Sequence, residues 1–175
     1  ACVYTTNLVK GAPITVTKNN VADGFAQAVI CNSGNANTCN ANGIEIAEEM
    51  CALISKELGI CANDIIVAST GVIGQKLDVA PIAAGMDELV SSLSYEGSDE
   101  AAWGIMTTDT KLKSVAVEFE LDGKKCRIGG IAKGSGMIHP NMATMLVFIT
   151  TDCAISTEML SLALKSDIQN TFNMV

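Results

Sequence analysis

The stretch from Val115 to Ile131 constrains the fold more than any other part of the sequence. Val115, Val117, Phe119 and Leu121 alternate with polar residues, Asp122-Gly123 follows, and Lys124 to Ile131 runs back. Alternation at a period of two gives a strand one apolar face. Asp-Gly is a two-residue turn signal because both positions tolerate positive φ. The segment predicts an antiparallel hairpin, which neither an all-helical nor an all-parallel architecture contains.

The rest of the chain alternates strands with helices. Ala12 to Lys18 reads as a strand, with Ile14 and Val16 on alternate positions. Ala28 to Cys31 is a short apolar strand running into the polar loop CNSGNANTCNANG. Glu45 to Leu58 is a helix: Ile46, Met50, Ile54 and Leu58 recur every four residues, and Gly59 suits the C-terminal cap. Asp64 to Ala68, apolar throughout after Asp64, reads as a strand expected in the centre of a sheet. Asp78 can cap a helix over Val79 to Leu93, with Pro81 tolerated in its first turn. Ser98 caps the next helix, which carries Trp103 and Met106, with Asp99 and Glu100 placed well for the helix dipole. Met145 to Thr150 reads as a strand and Ser156 opens a last helix to about Asn170. Helices with a mixed sheet make the fold class α/β, in one main domain over 1–175.

Composition excludes several classes of function. Hydrophobic residues make up 49% and charged residues 17%, enough for a real core. A net charge of -8 argues against a nucleic-acid partner or an anionic membrane surface. Apolar runs such as Met145 to Ile149 are too short to span a bilayer. There are seven cysteines and one histidine, with no Cys-x-x-Cys, so no metal site is expected. Scattered cysteines suggest a reducing, cytoplasmic location where Cys acts as a small hydrophobe.

Few motifs carry chemistry by spacing alone. Lys133-Gly-Ser-Gly lacks the phosphate-loop order, because the lysine precedes the glycines and Pro140 follows. Ser69-Thr70-Gly71 ends an apolar strand. A hydroxyl and an N–H there can aim two donors at one oxyanion, although a Ser/Thr turn is the simpler reading. The turn Met106 to Thr110 and the asparagine-rich loop from Asn32 fit either a polar binding site or ordinary structure. His139 reads most simply as a loop residue. Thr144 follows Ala143 and precedes an apolar strand. A threonine hydroxyl needs a base, and an economical one is its own α-amine, of pKa about 7.7–8.0. That amine exists only if the Ala143–Thr144 bond is cut, and a threonine can cut it by attacking the preceding carbonyl. A buried Thr opening a strand is the plainer alternative.

The stretch IAKGSGMIHPNMATML resembles the self-processing segment of the bifunctional ornithine acetyltransferase / glutamate N-acetyltransferase family of arginine biosynthesis. VYTTNLVKGAP, NSGNANTCNANG, IIVASTGVIGQ and GIMTTDTKLK match the same family in order. The resemblance implies self-cleavage between Ala143 and Thr144, with Thr144 as nucleophile toward the acetyl group of N-acetyl-L-ornithine and L-glutamate as acceptor. It implies an oxyanion hole from Thr70 and Gly71, and substrate binding by Thr107, Lys133 and Thr144. It implies the fold of self-cleaving aminopeptidases of the ornithine acetyltransferase type. It further implies a second chain from the same precursor, an (αβ)2 heterotetramer, and no cofactor or metal, with acetyl-CoA allowed as a co-substrate. The family extends beyond Val175, and more chain is expected before Ala1, so the sequence is expected to be one part of a larger precursor. Two alternatives stand beside this reading: an amidohydrolase or aminopeptidase on the same scaffold, and an unprocessed, non-catalytic chain.

Overall fold

The computed structural model describes residues 1–138 and 144–174. These fall into two compact units, Asn7–Gly97 and Ala1–Thr6 with Ser98–Val175. Among the described residues parallel and antiparallel pairings are both present, in two sheets rather than one mixed sheet.

In the unit Asn7–Gly97, strand β1 (Ala28–Asn32) pairs in parallel with β2 (Ile65–Ser69), Ala28 opposite Ile65 through Asn32 opposite Ser69. A parallel pair needs a long crossover, and helix α2 (Gly43–Leu58) supplies it. α2 buries Ile46, Ala47, Met50, Cys51 and Ile54, the spacing of one helical face. It ends as predicted on Gly59, in the left-handed region at φ 66°. Met50 and Ile65 are fully enclosed, and each such side chain contributes roughly 1.5–3 kcal/mol.

Two expectations fail here for a shared reason. Ala12 to Lys18 is not a strand: α1 (Ala12–Asn20) is a helix, with Pro13 in its first turn, where a fixed φ and a missing N–H cost nothing. Its inward residues, Pro13, Val16 and Thr17, follow helical rather than alternating spacing. β2 is not central either. Among the described residues it pairs only with β1, and α1 closes its other edge through side chains. Thr17 Oγ1 donates to the Val67 carbonyl at 2.7 Å and accepts from the Val67 N–H at 2.9 Å. Asn20 Nδ2 donates to the Ile65 carbonyl at 2.8 Å. Two polar helix residues thus take the place of a third strand.

Asp78 accepts from the Ala80 N–H at 3.0 Å, but it is not the cap it was expected to be: the N-cap position falls at Val79, which makes no side-chain cap bond. The helix that follows is also interrupted, into α3 (Ala80–Ala84) and α4 (Met86–Ser91). The break falls at Gly85, at φ -91° and ψ 1°, a residue with little helical preference.

In the other unit, the hairpin forms as predicted. β3 (Lys113–Leu121) pairs antiparallel with β4 (Lys124–Lys133), and Leu121 faces Lys124. Asp122 and Gly123 take φ of 52° and 73°, the two positive values of a type I′ turn. β5 (Leu146–Thr151) adds to β4, running from Lys133 opposite Leu146 to Ile128 opposite Thr151. Helix α5 (Ser98–Gly104) buries Ala102 and stops before Met106. Helix α6 (Thr157–Asp167) is capped by the Ser156 hydroxyl, and its predicted last turn is instead a 3-10 turn over Ile168–Asn170. No helix among the described residues is long and apolar enough to cross a membrane.

Candidate functional site

Thr70 and Gly71 lie just past the end of β2 in the unit Asn7–Gly97. Thr70 is buried, and its N–H donates to the Asn32 carbonyl at 2.9 Å. The loop after β1 then laces onto the same turn. Val72 N–H donates to Gly34 O at 3.3 Å and Ala36 N–H to Val72 O at 2.9 Å. Gly71 sits between these bonds at φ 130°, and a Cβ on it would stand 2.4 Å from the Gly34 carbonyl oxygen. Only glycine fits so close a backbone approach. No acceptor for the Gly71 N–H occurs among the described residues. Beside it, the Ser69 hydroxyl is buried without a hydrogen-bond partner among the described residues.

The asparagine-rich loop serves this turn as a scaffold. Asn32 Nδ2 donates to Asn35 O at 2.8 Å, and Asn35 Nδ2 to Gln75 O at 2.9 Å. Asn37, fully buried, donates to Gly43 O at 2.7 Å. These side-chain groups are committed to holding backbone.

Lys133, Thr107 and Thr144 belong to the other unit. Lys133 ends β4 with only 4% of its surface exposed, and its Nζ donates to Thr107 Oγ1 at 3.1 Å. The Met106 to Thr110 turn is docked on this strand end. Asp109 accepts from the Gly134 N–H at 2.8 Å and from Lys113 Nζ at 2.5 Å, while Thr108 and Ser135 share a hydroxyl bond of 2.7 Å. Burial by itself would raise the Asp109 carboxyl, but the bonds from Lys113, Gly134 and Thr107 outweigh it and bring the pKa to about 2. Asp109 therefore stays charged and ties the turn bearing Thr107 to the strand bearing Lys133. Sequence alone leaves this turn ambiguous and gives Ser135 no role; the Asp109-to-Lys113 spacing is the signal that it carries.

Thr144 is half-buried, and its Oγ1 donates to the carbonyls of Gly136 at 3.0 Å and Met137 at 2.8 Å. Met137 holds φ at 56°, a value rare for a residue with a side chain. Ala143, and with it the predicted cleavage bond, lies outside the described residues, as does His139. Chemically, the chain carries a paired ammonium and hydroxyl suited to a carboxylate, a donor turn suited to an oxyanion, and an oriented threonine hydroxyl.

Residues 1–175 match the family model described as the ArgJ family. The arginine biosynthesis bifunctional protein ArgJ of Caldanaerobacter subterraneus is 46% identical over the whole chain, and that of Symbiobacterium thermophilum is 49% identical. The chain spans about 44% of the length of these curated relatives. The crystal structure of the ArgJ bifunctional protein from Bacillus halodurans matches with a TM-score of 0.74 at 41% identity, covering 82% of this chain and 76% of that one. The ornithine acetyltransferase of Mycobacterium tuberculosis, solved in complex with ornithine, matches with a TM-score of 0.75 at 36% identity, covering 82% of this chain and 77% of that one. With a family model matching end to end and relatives near half identical, the chain belongs to the ArgJ family.

Proposed function

We propose that this chain carries the nucleophile and part of the substrate site of a cytoplasmic acetyltransferase, which moves the acetyl group of N-acetyl-L-ornithine to L-glutamate in arginine biosynthesis. The observation that carries the reading is the buried Lys133 ammonium held on the Thr107 hydroxyl at 3.1 Å. An ammonium and a hydroxyl held side by side at a strand end are two donors suited to a carboxylate, and a substrate α-carboxylate is one. The ornithine-bound relative supports the same substrate class.

The mechanism has two stages. In the first, Thr144 Oγ1 attacks the Ala143 carbonyl, the peptide bond becomes an ester, and water hydrolyses it. Thr144 is left with a free α-amine. In the second, that amine takes the Oγ1 proton as Oγ1 attacks the acetyl carbonyl of N-acetylornithine. The Thr70 hydroxyl and the Gly71 N–H stabilise the oxyanion. Ornithine leaves with the proton and an acetyl ester remains on Thr144. The glutamate amine then attacks this ester, giving N-acetylglutamate and restoring the hydroxyl. Lys133 and Thr107 bind the substrate carboxylate. No metal or resident cofactor enters these steps, and acetyl-CoA can load the same threonine as an alternative donor. The second chain released by cleavage completes the site, in an (αβ)2 assembly.

The test is acetyl transfer by the complete enzyme and its Thr144→Ala variant, read together with intact mass. The variant should give neither a fragment beginning at residue 144 nor transfer. Transfer by Thr144→Ala would end the proposal, and acetate release without glutamate acetylation would replace it with a hydrolase.

A further inference from the structure

The β4–β5 ladder brings together two cysteines that the chemistry above does not use. Its last paired position is Ile128 opposite Thr151. One step on, the Asp152 N–H donates to Arg127 O at 3.4 Å, and the Arg127 N–H donates to Asp152 Oδ1 at 2.6 Å. Arg127 and Asp152 thus extend the register as a bonded pair. Continued one step further, the same register would set Cys126 opposite Cys153 as a non-bonded pair, and such antiparallel pairs have Cα atoms about 4.5 Å apart. That separation falls within the range of about 4.4–6.8 Å that a disulfide spans. The side chains agree. Both sulfurs and an Asp152 carboxylate oxygen lie within 4.8 Å of one another, and the neighbouring Cys153 thiol pushes the Cys126 thiol pKa up. Both cysteines are free and half-buried, so solutes reach them.

We infer that Cys126 and Cys153 form a redox-responsive dithiol, a modification site that closes into a cross-strand disulfide on meeting a small-molecule disulfide. One thiolate attacks a sulfur of that disulfide, releasing one thiol and leaving a mixed disulfide on the protein. The second thiolate attacks the protein-bound sulfur and displaces the other half as a second thiol. The two cysteine protons pass to the departing thiols, so the protein is oxidised by two electrons and the small disulfide is reduced by two. A metal site is the weaker reading of the same cluster. Its third donor, Asp152, already accepts from the Arg127 N–H, which leaves two sulfurs, the number a disulfide joins.

The position gives the bridge a consequence. Cys126 precedes and Cys153 follows the Ala143–Thr144 bond. If that bond is cut as proposed above, the disulfide ties the two products together covalently across the ladder. This consequence rests on the proposed cleavage; the pairing of the cysteines does not.

The experiment incubates the protein with oxidised glutathione, alkylates the remaining thiols and maps the peptides by mass. The expected result is a linked Cys126–Cys153 peptide pair, reversed by dithiothreitol and absent from both Cys126→Ser and Cys153→Ser, with circular dichroism checking that each variant folds. Exposed Cys39 and Cys61 serve as internal controls and should not cross-link to either. Cleaved protein, once oxidised, should run as one band without reductant and two with it. If the protein is uncut, the gel is uninformative and the peptide map alone decides, so failed cleavage is distinguished from failed pairing. Alkylation of both cysteines, separate glutathione adducts on each, or zinc uptake that protects both from oxidation overturns the inference.

Discussion

Replacing Gly71 with alanine tests the geometry of the Thr70–Gly71 turn directly. The new Cβ would stand 2.4 Å from Gly34 O, 2.5 Å from Gly34 C and 2.7 Å from Asn35 N. All three are backbone atoms, in a loop braced by the Asn32 and Asn35 side chains, so no flexible tip can swing away. A side chain at this positive φ costs roughly 1–2 kcal/mol, and overpacking adds roughly 1–3 kcal/mol. The expected loss is therefore about 3 kcal/mol, and at this chain length each kcal/mol lowers Tm by roughly 2–4 °C. Gly34→Ala is the control. Its Cβ would meet only Asn32 Oδ1, at 3.8 Å, so it should stay within about 0.5 kcal/mol of wild type. Urea and thermal unfolding, followed by circular dichroism, measure both. In the complete enzyme, displacing the Gly71 donor should also lower kcat by roughly 100- to 1,000-fold. If Gly71→Ala unfolds like wild type, or Gly34→Ala is equally damaging, the close-approach reasoning is wrong.

Thr17→Val keeps the side chain's shape but strands the Val67 N–H and carbonyl at the edge of β2. At about 1–3 kcal/mol for each buried unsatisfied group, urea unfolding should show a loss of roughly 2–6 kcal/mol, and a neutral result would remove α1 from its strand-like role. Asp109 has a folded pKa of about 2 against about 3.9 when unfolded. This lowered value gives stability that is fully present above about pH 4 and lost as pH falls toward 2. Urea midpoints of wild type and Asp109→Asn should therefore converge across that window; a gap that persists below it would show that charge is not the cause. Lys133→Met should raise KM for N-acetylornithine in the complete enzyme by roughly 10- to 150-fold, the worth of one charged hydrogen bond. An unchanged KM would take Lys133 out of substrate recognition.

Which elements the sequence reveals depends on how locally each is determined. The hairpin is legible because its turn and its alternation both lie within the segment itself. Helix α2 is legible because one face is buried along its whole length. α1 misleads because Ile14 and Val16 mimic alternation over too short a span. What decides its helix is the Val67 and Ile65 backbone, far off in sequence, which Thr17 and Asn20 must reach. The break at Gly85 is visible as a glycine, but a glycine inside a helical pattern does not announce whether it interrupts the helix. At the candidate site, residue types alone offer Thr70 and Gly71 an oxyanion role and Thr144 a nucleophilic one, each beside a plainer structural reading, and give Lys133 none; the resemblance to a known family is what chooses between them. The Cys126–Cys153 approach was invisible, because it arises from a ladder register and not from spacing.

The candidate groups share one physical setting: each sits where a β ladder stops. Gly71 lies just past β2, Lys133 ends β4, and Thr144 comes shortly before β5. Inside a ladder the backbone groups are consumed by the neighbouring strand; at its end they become available for other work. The Gly71 N–H has no acceptor among the described residues, as its proposed oxyanion role needs. The carbonyls of Gly136 and Met137 take the Thr144 hydroxyl instead. Neither carbonyl is a base, so these bonds orient Oγ1 without activating it. Activation requires a group that can accept and hold a proton at neutral pH, and an α-amine of pKa about 7.7–8.0 does so. In the intact chain that nitrogen is an amide and cannot. Under the proposed mechanism an uncut chain therefore holds Thr144 oriented but inert, and cutting the bond before it supplies the base that turns an aimed hydroxyl into a nucleophile.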